Sequence, residues 1–211
     1  RSFVGIHPIP VVHGMTFGEY AGMTNGEGWL AGGIRCDLKV IRCSNYNHGT
    51  MYELPVIPSP NLPNMNAVYL YPSICFSEGT VLSCGRGTEF PFQVLGAPGM
   101  PDTGFSFTPA PSFGSSNPKH NGVVCYGIDL RKAMADGMVP KPEINLQWII
   151  DMYKAYPHKE KFFTGYFDTL AGSSTLREQI ISGMTPEEIR ASWKDGLDRF
   201  RATRDKYLLY D

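Results

Sequence analysis

The sequence predicts an α/β chain of the α+β kind, a mixed-sheet domain with flanking helices. Loops and short strands come first and helices last. Three observations predict this. Fifteen of the 17 prolines lie at or before Pro142. Residues 143–211 carry 10 of the 19 Lys and Arg and 11 of the 20 Asp and Glu. Glycine and proline, 23 and 17 of 211 residues, make up about a fifth of the chain, against roughly 12% in average proteins. Proline lacks an N–H and fixes φ, which excludes it from helix interiors and central strands, so the early part must be built from short pieces.

Residues 1–14 read as a strand and a connection, with Pro8 and Pro10 limiting regular pairing. Thr16-Phe17-Gly18-Glu19 fits a capping box, in which Thr caps the helix and Glu reaches back to it. The helix is expected to run to about Leu30, with Phe17, Tyr20, Met23, Trp29 and Leu30 as its apolar positions and Gly32-Gly33 as its stop. Cys36–Cys43 nearly alternates apolar and polar residues, the pattern of a half-buried strand. Pro55–Pro63 is a proline-stiffened loop that holds its polar side chains at little entropic cost. Ser59, Asn61 and Asn64 are its candidates for binding, and each also suits plain turn chemistry.

A helical turn is expected over Asn66–Leu70, a short strand and turn over Pro91–Pro98, and a mobile excursion around Ser115–Lys119. Val123–Leu130 is the most strand-like run in the chain. From Pro142 the period becomes helical: Ile144, Trp148, Ile149, Met152, Tyr153 and Tyr156 share a face and Pro157 ends it. A second helix spans about Ser174–Ile181 and stops at Gly183. A third opens at Thr185-Pro186-Glu187-Glu188, with Ile189, Trp193, Leu197 and Phe200 as its buried stripe. That spacing reads Trp148 and Trp193 as core residues before sugar platforms.

At 42% hydrophobic and 18% charged, the chain has the composition of a soluble globular protein. A net charge of −1 argues against a nucleic-acid or anionic-membrane partner, and no run of 18 apolar residues offers a membrane span. The five cysteines form no CxxC pair and read as small buried hydrophobes, and no metal or organic cofactor is required by the residues present. Arg1 runs directly into Phe3–Ile6 without a Met or a leader-like start, so the chain reads as a piece of something longer.

The chemistry concentrates in Phe76–Thr88, thirteen residues that hold Glu78, Thr80, Arg86 and Thr88 among three glycines. Gly85 and Gly87 let backbone approach a ligand, and Arg86 between them offers a planar fork to a carboxylate or phosphate. The same residues also suit a strand-turn with a surface salt bridge. A GxSxG elbow, a Walker A loop and GxGxxG are all missing from the sequence. What remains is a polar cleft of proline- and glycine-rich loops carrying Glu78, Arg86, Asn61, Asn64 and His13, groups suited to sugar hydroxyls.

Phe3–Glu19, Pro58–Pro63, Tyr71-Pro72, Glu78–Thr80, Gly85–Thr88, Pro91-Phe92, Gly96–Pro98 and Arg204–Tyr210 resemble, in the same order, segments of the NamZ (YbbC-like) exo-β-N-acetylmuramidases. The resemblance implies an N-terminal Rossmann-like domain, a C-terminal α/β domain and a cleft between them. Residues 1–30 would then be the last segment of the first domain and residues 31–211 the second. It implies a glycosidase that releases N-acetylmuramic acid from the non-reducing end of peptidoglycan fragments, in a periplasmic or secreted location. The family's proposed catalytic glutamate lies in a Gly-Pro-Glu-His stretch that this sequence does not contain, so the chain alone is expected to be inactive, with its own N-terminal domain as partner. On this resemblance Arg86 is expected to take the lactyl carboxylate that distinguishes muramic acid from glucosamine. Glu78 is expected to be a second carboxylate or an orienting group, and His13 to line the cleft or to be a buried structural histidine. A non-catalytic glycan-binding module is the alternative.

Overall fold

The computed structural model describes residues 7–133 and 143–211. Helix α1, Phe17–Gly26, opens on the expected capping box. Thr16 Oγ1 accepts the Glu19 amide, while Glu19 Oε2 accepts the Thr16 amide at 2.7 Å and its hydroxyl at 2.9 Å. The carboxylate also works at longer range. It is fully buried, and Oε1 accepts the Leu209 amide at 2.7 Å and lies 2.9 Å from His48 Nε2. One side chain therefore ties α1 to the loop around His48 and to the last residues of the chain. The helix ends at Gly26 rather than Leu30, because Gly28 turns the chain at φ +69°. Phe17, expected on its apolar face, is exposed.

The strand expected over residues 1–14 is absent from 7–14, where Pro8 and Pro10 fall; residues 1–6 lie outside the described residues. Cys36–Cys43 is not a strand either. It is irregular and mostly exposed, and no strand among the described residues runs beside it, so its alternation has no sheet face to bury. Side chains hold its ends: Asn25 bonds both the amide and the carbonyl of Cys36, and the Tyr210 hydroxyl accepts the Cys43 amide at 2.9 Å. Of the cysteines, Cys84 and Cys125 are buried as expected, whereas Cys36 and Cys43 are exposed on this segment.

The turn expected at Asn66–Leu70 is a full helix, α2, Met65–Ile74. Asn64 caps it by accepting the Ala67 amide at 2.9 Å, and Ala67, Leu70 and Ile74 bury one stripe. A 3-10 turn, Cys75–Gly79, continues it. The sheet comprises β1 (Val94–Ala97), β2 (Ser106–Phe107) and β3 (Cys125–Asp129) in the order β1-β3-β2, with Leu95 opposite Ile128 and Phe107 opposite Cys125. Among the described residues it is antiparallel, not mixed. No helix lies between these strands to make the crossover that a parallel pair requires.

The excursion around Ser115–Lys119 is pinned rather than mobile. Gly114 O accepts Asn61 Nδ2 at 2.7 Å, and Lys119 and His120 reach into the 78–82 segment. Helix α3, Gln147–Ala155, buries Ile149, Ile150 and Met152 and ends as Tyr156 turns extended ahead of Pro157. The expected start at Pro142 lies outside the described residues. Helix α4, Gly165–Ala171, was not anticipated: seven residues with one buried side chain, Phe167, carry no readable period. Helix α5, Thr175–Ile181, stops before Gly183 as expected. The third expected helix is two. α6, Pro186–Ser192, begins with a Thr185/Glu188 capping box, and after a break at Trp193 α7 runs Lys194–Arg204.

The main core cluster among the described residues is drawn from α2, the 3-10 turn, β1 and the C-terminal helices, with Leu70, Phe76, Leu95, Ile149, Phe167 and Ile180 as representatives, and a smaller one gathers Val94, Phe107 and Cys125. A close approach falls at Gly79, where a Cβ would stand 2.3 Å from Phe167 Cα, so α4 presses directly on the turn that carries Glu78. No helix among the described residues is long and apolar enough to cross a membrane.

Burial alone would raise the Glu19 pKa, but the Leu209 and Thr16 amides, His48 and the Thr16 hydroxyl more than offset it and hold the group at about 2 against an ordinary 4.5. A depressed carboxylate stabilises the fold fully above its unfolded value, and that contribution is lost as pH falls through the window from 4.5 toward 2. Glu19→Gln is expected to cost on the order of 2–4 kcal/mol at neutral pH in urea denaturation. The gap to the parent chain should close as pH is lowered across that window.

Candidate functional site

The predicted polar stretch forms around the end of α2. The 3-10 turn presents Glu78, and the loop that follows returns Arg86 to it, with Arg86 Nη2 2.9 Å from Glu78 Oε1. Gly85 (φ +79°) and Gly87 (φ +81°) make this return possible, since a Cβ at Gly87 would stand 2.5 Å from Ala110 O. The guanidinium carbon lies 5.0 Å above the Phe92 ring, and Tyr71 meets that ring edge-on at 4.9 Å. Arg86 Nε is shut off from solvent with no acceptor.

Magnitudes argue against a purely stabilising role for this pair. Its side chains are 37% and 24% exposed, and an ion pair at that exposure contributes about 0–1 kcal/mol. Phe92 beneath it holds φ +56° while almost fully buried, a strain of roughly 1–3 kcal/mol for a non-glycine residue. The ion pair by itself returns no more than the backbone strain at Phe92 costs.

The other predicted residues fall into supporting positions. Thr80 is buried; its hydroxyl donates to Ser77 O at 2.7 Å and accepts the Leu82 amide. Thr88 Oγ1 donates to Gly85 O at 2.6 Å and accepts the Phe90 amide, closing the Arg86 turn. Ser59 Oγ accepts the Asn61 amide, Asn61 is buried against Gly114, and Asn64 caps α2. His13 contacts a different group, with Nδ1 accepting the Met15 amide at 3.2 Å and its ring 5.5 Å from Tyr20. Burial, then the charge of Arg204, lowers its pKa. The structure thus joins Glu78 and Arg86 directly, gives Thr80 and Thr88 to their loop, and leaves His13 beside α1.

Tyr71, Phe92 and Lys119 escaped the residue-by-residue reading of the sequence. Burial pushes the Tyr71 phenol up, with Glu78 adding to the effect and Arg86 opposing it. Burial also pushes Cys75 up to about 12 and Cys84 to about 11, so these thiols beside the pair stay protonated and are poor nucleophiles. Lys119 is lowered by burial, against the pull of Cys84 and Glu78. Tyr71-Pro72 and Pro91-Phe92 were visible as motifs, whereas nothing local marks Lys119.

A cavity of about 900 Å³ lies apart from this cluster, between residues 8–12 and the helices α5 to α7, and none of the predicted site residues lines it. Its walls are largely apolar, including Val11, Trp29, Leu176 and Phe200, and Trp193 lines it while packing on the core. Trp148 packs on the core as the sequence led us to expect. We place the candidate site at Glu78–Arg86, where opposite charges, an aromatic face and strained backbone converge.

The chain as a whole has relatives of known family. Residues 69–210 match the family described as exo-β-N-acetylmuramidase NamZ, C-terminal, and residues 1–66 match its N-terminal counterpart. The chain belongs to the NamZ family. The two matches meet between residues 66 and 69, well after the boundary at residue 30 drawn from the sequence. Among its relatives, the peptidoglycan β-N-acetylmuramidase NamZ of Bacillus subtilis is 36% identical over 99% of this chain and 53% of its own length. A crystal structure of a DUF1343 family protein from Bacteroides fragilis superposes with a TM-score of 0.95 at 48% identity, over 100% of this chain and 60% of that one. A second DUF1343 structure from that organism, 21% identical with a TM-score of 0.72 over 96% of this chain and 58% of its own, shares the fold. The chain spans about half the length of the curated relative it matches.

Gly87→Ala places a Cβ against Ala110 O at a φ that L residues rarely adopt. It is expected to destabilise the chain by roughly 1–3 kcal/mol in chemical denaturation, with no change in helix content by circular dichroism.

Proposed function

We propose that this chain supplies one wall of the active-site cleft of a glycosidase that releases N-acetylmuramic acid from the non-reducing end of peptidoglycan fragments. Membership of the NamZ family and the name of its Bacillus subtilis relative support a peptidoglycan substrate. The observation that carries the reading is Arg86, half-exposed beside Glu78 and above Phe92. Muramic acid differs from glucosamine by a lactyl carboxylate. A guanidinium already oriented by a carboxylate on one edge offers its other donors to such an anion.

Glu78 orients Arg86 in this reading, and it also has the chemistry of a second catalytic carboxylate. Glycoside hydrolysis generally uses two, separated by roughly 5–9.5 Å. The cluster contributes Glu78, and its counterpart would come from a preceding Rossmann-like domain that carries the Gly-Pro-Glu-His stretch. That domain is also the proposed occupant of an apolar face. Most of the large exposed hydrophobics of the described residues fall between Val11 and Ile57, including Ile34, Leu38 and Ile41 on the unpaired 36–43 segment and its approach. An unpaired alternating segment is ready to add to the edge of a sheet. A peptidoglycan-derived substrate met outside the cytoplasmic membrane is what supports a periplasmic or secreted location in this reading.

One observation favours the second reading, a glycan-binding module without catalysis: the carboxylate of the cluster is already engaged by Arg86. Release of N-acetylmuramic acid from a chromogenic muramide by the full-length protein separates the two, since a pure binder gives none. In that assay Arg86→Met is expected to lower kcat/KM for muramides by on the order of 10- to 100-fold, the loss of one charge-assisted contact. Neutral glucosamine analogues should be affected far less. Equal losses on both would remove Arg86 from the recognition of the lactyl group.

A further inference from the structure

The segment Glu78–Leu82 leaves the 3-10 turn at Gly79 and has no strand beyond a single bridge from Thr80 to Phe163, yet all five of its carbonyls are engaged. Lys119 Nζ donates to Glu78 O at 3.3 Å, Thr80 O at 2.6 Å and Leu82 O at 3.1 Å. His120 Nε2 lies 2.7 Å from Val81 O, and Gly79 O accepts the Thr164 amide and hydroxyl. An ammonium has three protons, and here each has a backbone acceptor. No proton remains for a carboxylate, and Glu78 is paired with Arg86 instead.

We propose that Lys119 is a positioning residue for the recognition of the substrate carboxylate. By gathering the alternate carbonyls of 78, 80 and 82 onto one cation, it sets the backbone from which Glu78 reaches Arg86. This rests on the reading of Arg86 given above. Two features point to placement rather than to general stability. Lys119 is an exposed residue, yet its ammonium turns inward until all three protons meet backbone oxygens, a geometry that an apolar side chain could not reproduce. The residue that follows, His120, holds φ +61°, a conformation that L residues rarely adopt, and this turn delivers Lys119 and His120 to successive carbonyls of one strand of chain. Thr80 Oγ1 completes the arrangement by bridging Ser77 O and the Leu82 amide from within the loop.

The test compares Arg86→Met, Lys119→Met and the double variant in the full-length protein, on a chromogenic muramide and its glucosamine counterpart. Lys119→Met is expected to reduce kcat/KM for the muramide by on the order of 10- to 100-fold, chiefly through KM, with a smaller loss on the neutral analogue. The double variant should lose no more muramic-acid selectivity than Arg86→Met alone, because both changes act through one contact. Additive losses, or a Lys119→Met protein with parent selectivity, overturn the proposal. Lys119→Gln keeps two N–H donors and guards against a Met variant that does not fold. It should show a smaller loss in the same direction, and parent selectivity in it likewise counts against the proposal. Should Arg86→Met itself leave selectivity unchanged, the reading of Arg86 fails separately. The crystal structure of Lys119→Met then decides: loss of the 2.9 Å Glu78–Arg86 contact supports positioning, and its persistence refutes it.

Discussion

Every buried N–H and C=O needs a partner, and the part of this molecule that matters most has no regular ladder to supply one. The chain from Glu78 to Ser83 runs between α2 and β1, and it borrows partners from three distant places, residue 96, residues 162–164 and residues 119–120. Ser83 pairs with Gly96 of β1, Val81 donates to Phe162 O, Thr164 serves Gly79, and Lys119 with His120 serves the remaining carbonyls. Each loan fixes the lender as well. The 115–120 excursion is pinned, α4 is pressed onto Gly79, and β1 is anchored at Gly96. The Glu78–Arg86 pair inherits its geometry from this set of bonds rather than from its own attraction, which at that exposure is small.

Two ionised side chains, then, organise the described chain by different means. Glu19 collects donors from the helix it caps, from His48 and from Leu209, residues as many as 190 positions away, and so closes the chain on itself. Lys119 collects acceptors from a single short segment and so shapes a site. Glu19 is taken out of water and fully hydrogen-bonded, the condition under which such burial is tolerated, whereas Lys119 is an exposed residue that spends its three protons on backbone oxygens. Arg86 differs in kind: its Nε is buried without an acceptor, and its outer face remains open to solvent.

The distribution of apolar surface divides the chain near the point where the two family matches meet. After residue 66 the hydrophobic residues close a continuous core over α2, β1 and the C-terminal helices. Before it, many of them face outward on segments without regular structure. The exposed apolar residues therefore concentrate in the part of the chain that matches the N-terminal family model.

Local signals were legible in the sequence wherever the physics is local. The Thr16/Glu19 capping box and the helix start at Thr185-Pro186 formed as read, because the atoms that make them lie within four residues; Glu188 completes a second box at Thr185. The same holds for the strands β1 and β3, the face of α3, the stop at Gly183, and the glycine-flanked turn around Arg86, whose pairing with Glu78 was one of the two readings those residues allowed. What the tertiary structure alone decided is everything that depends on a neighbour distant in sequence. The alternation in Cys36–Cys43 promised a strand, but a strand needs a partner, and none lies beside it among the described residues. Helix α4 was invisible because its stability comes from one Phe167 pressed against Gly79 rather than from a period. Lys119, a single cation in a Ser- and Pro-rich loop, gave no sign that it would take three carbonyls some forty residues back, since a hydrogen bond across that separation leaves no trace in local spacing.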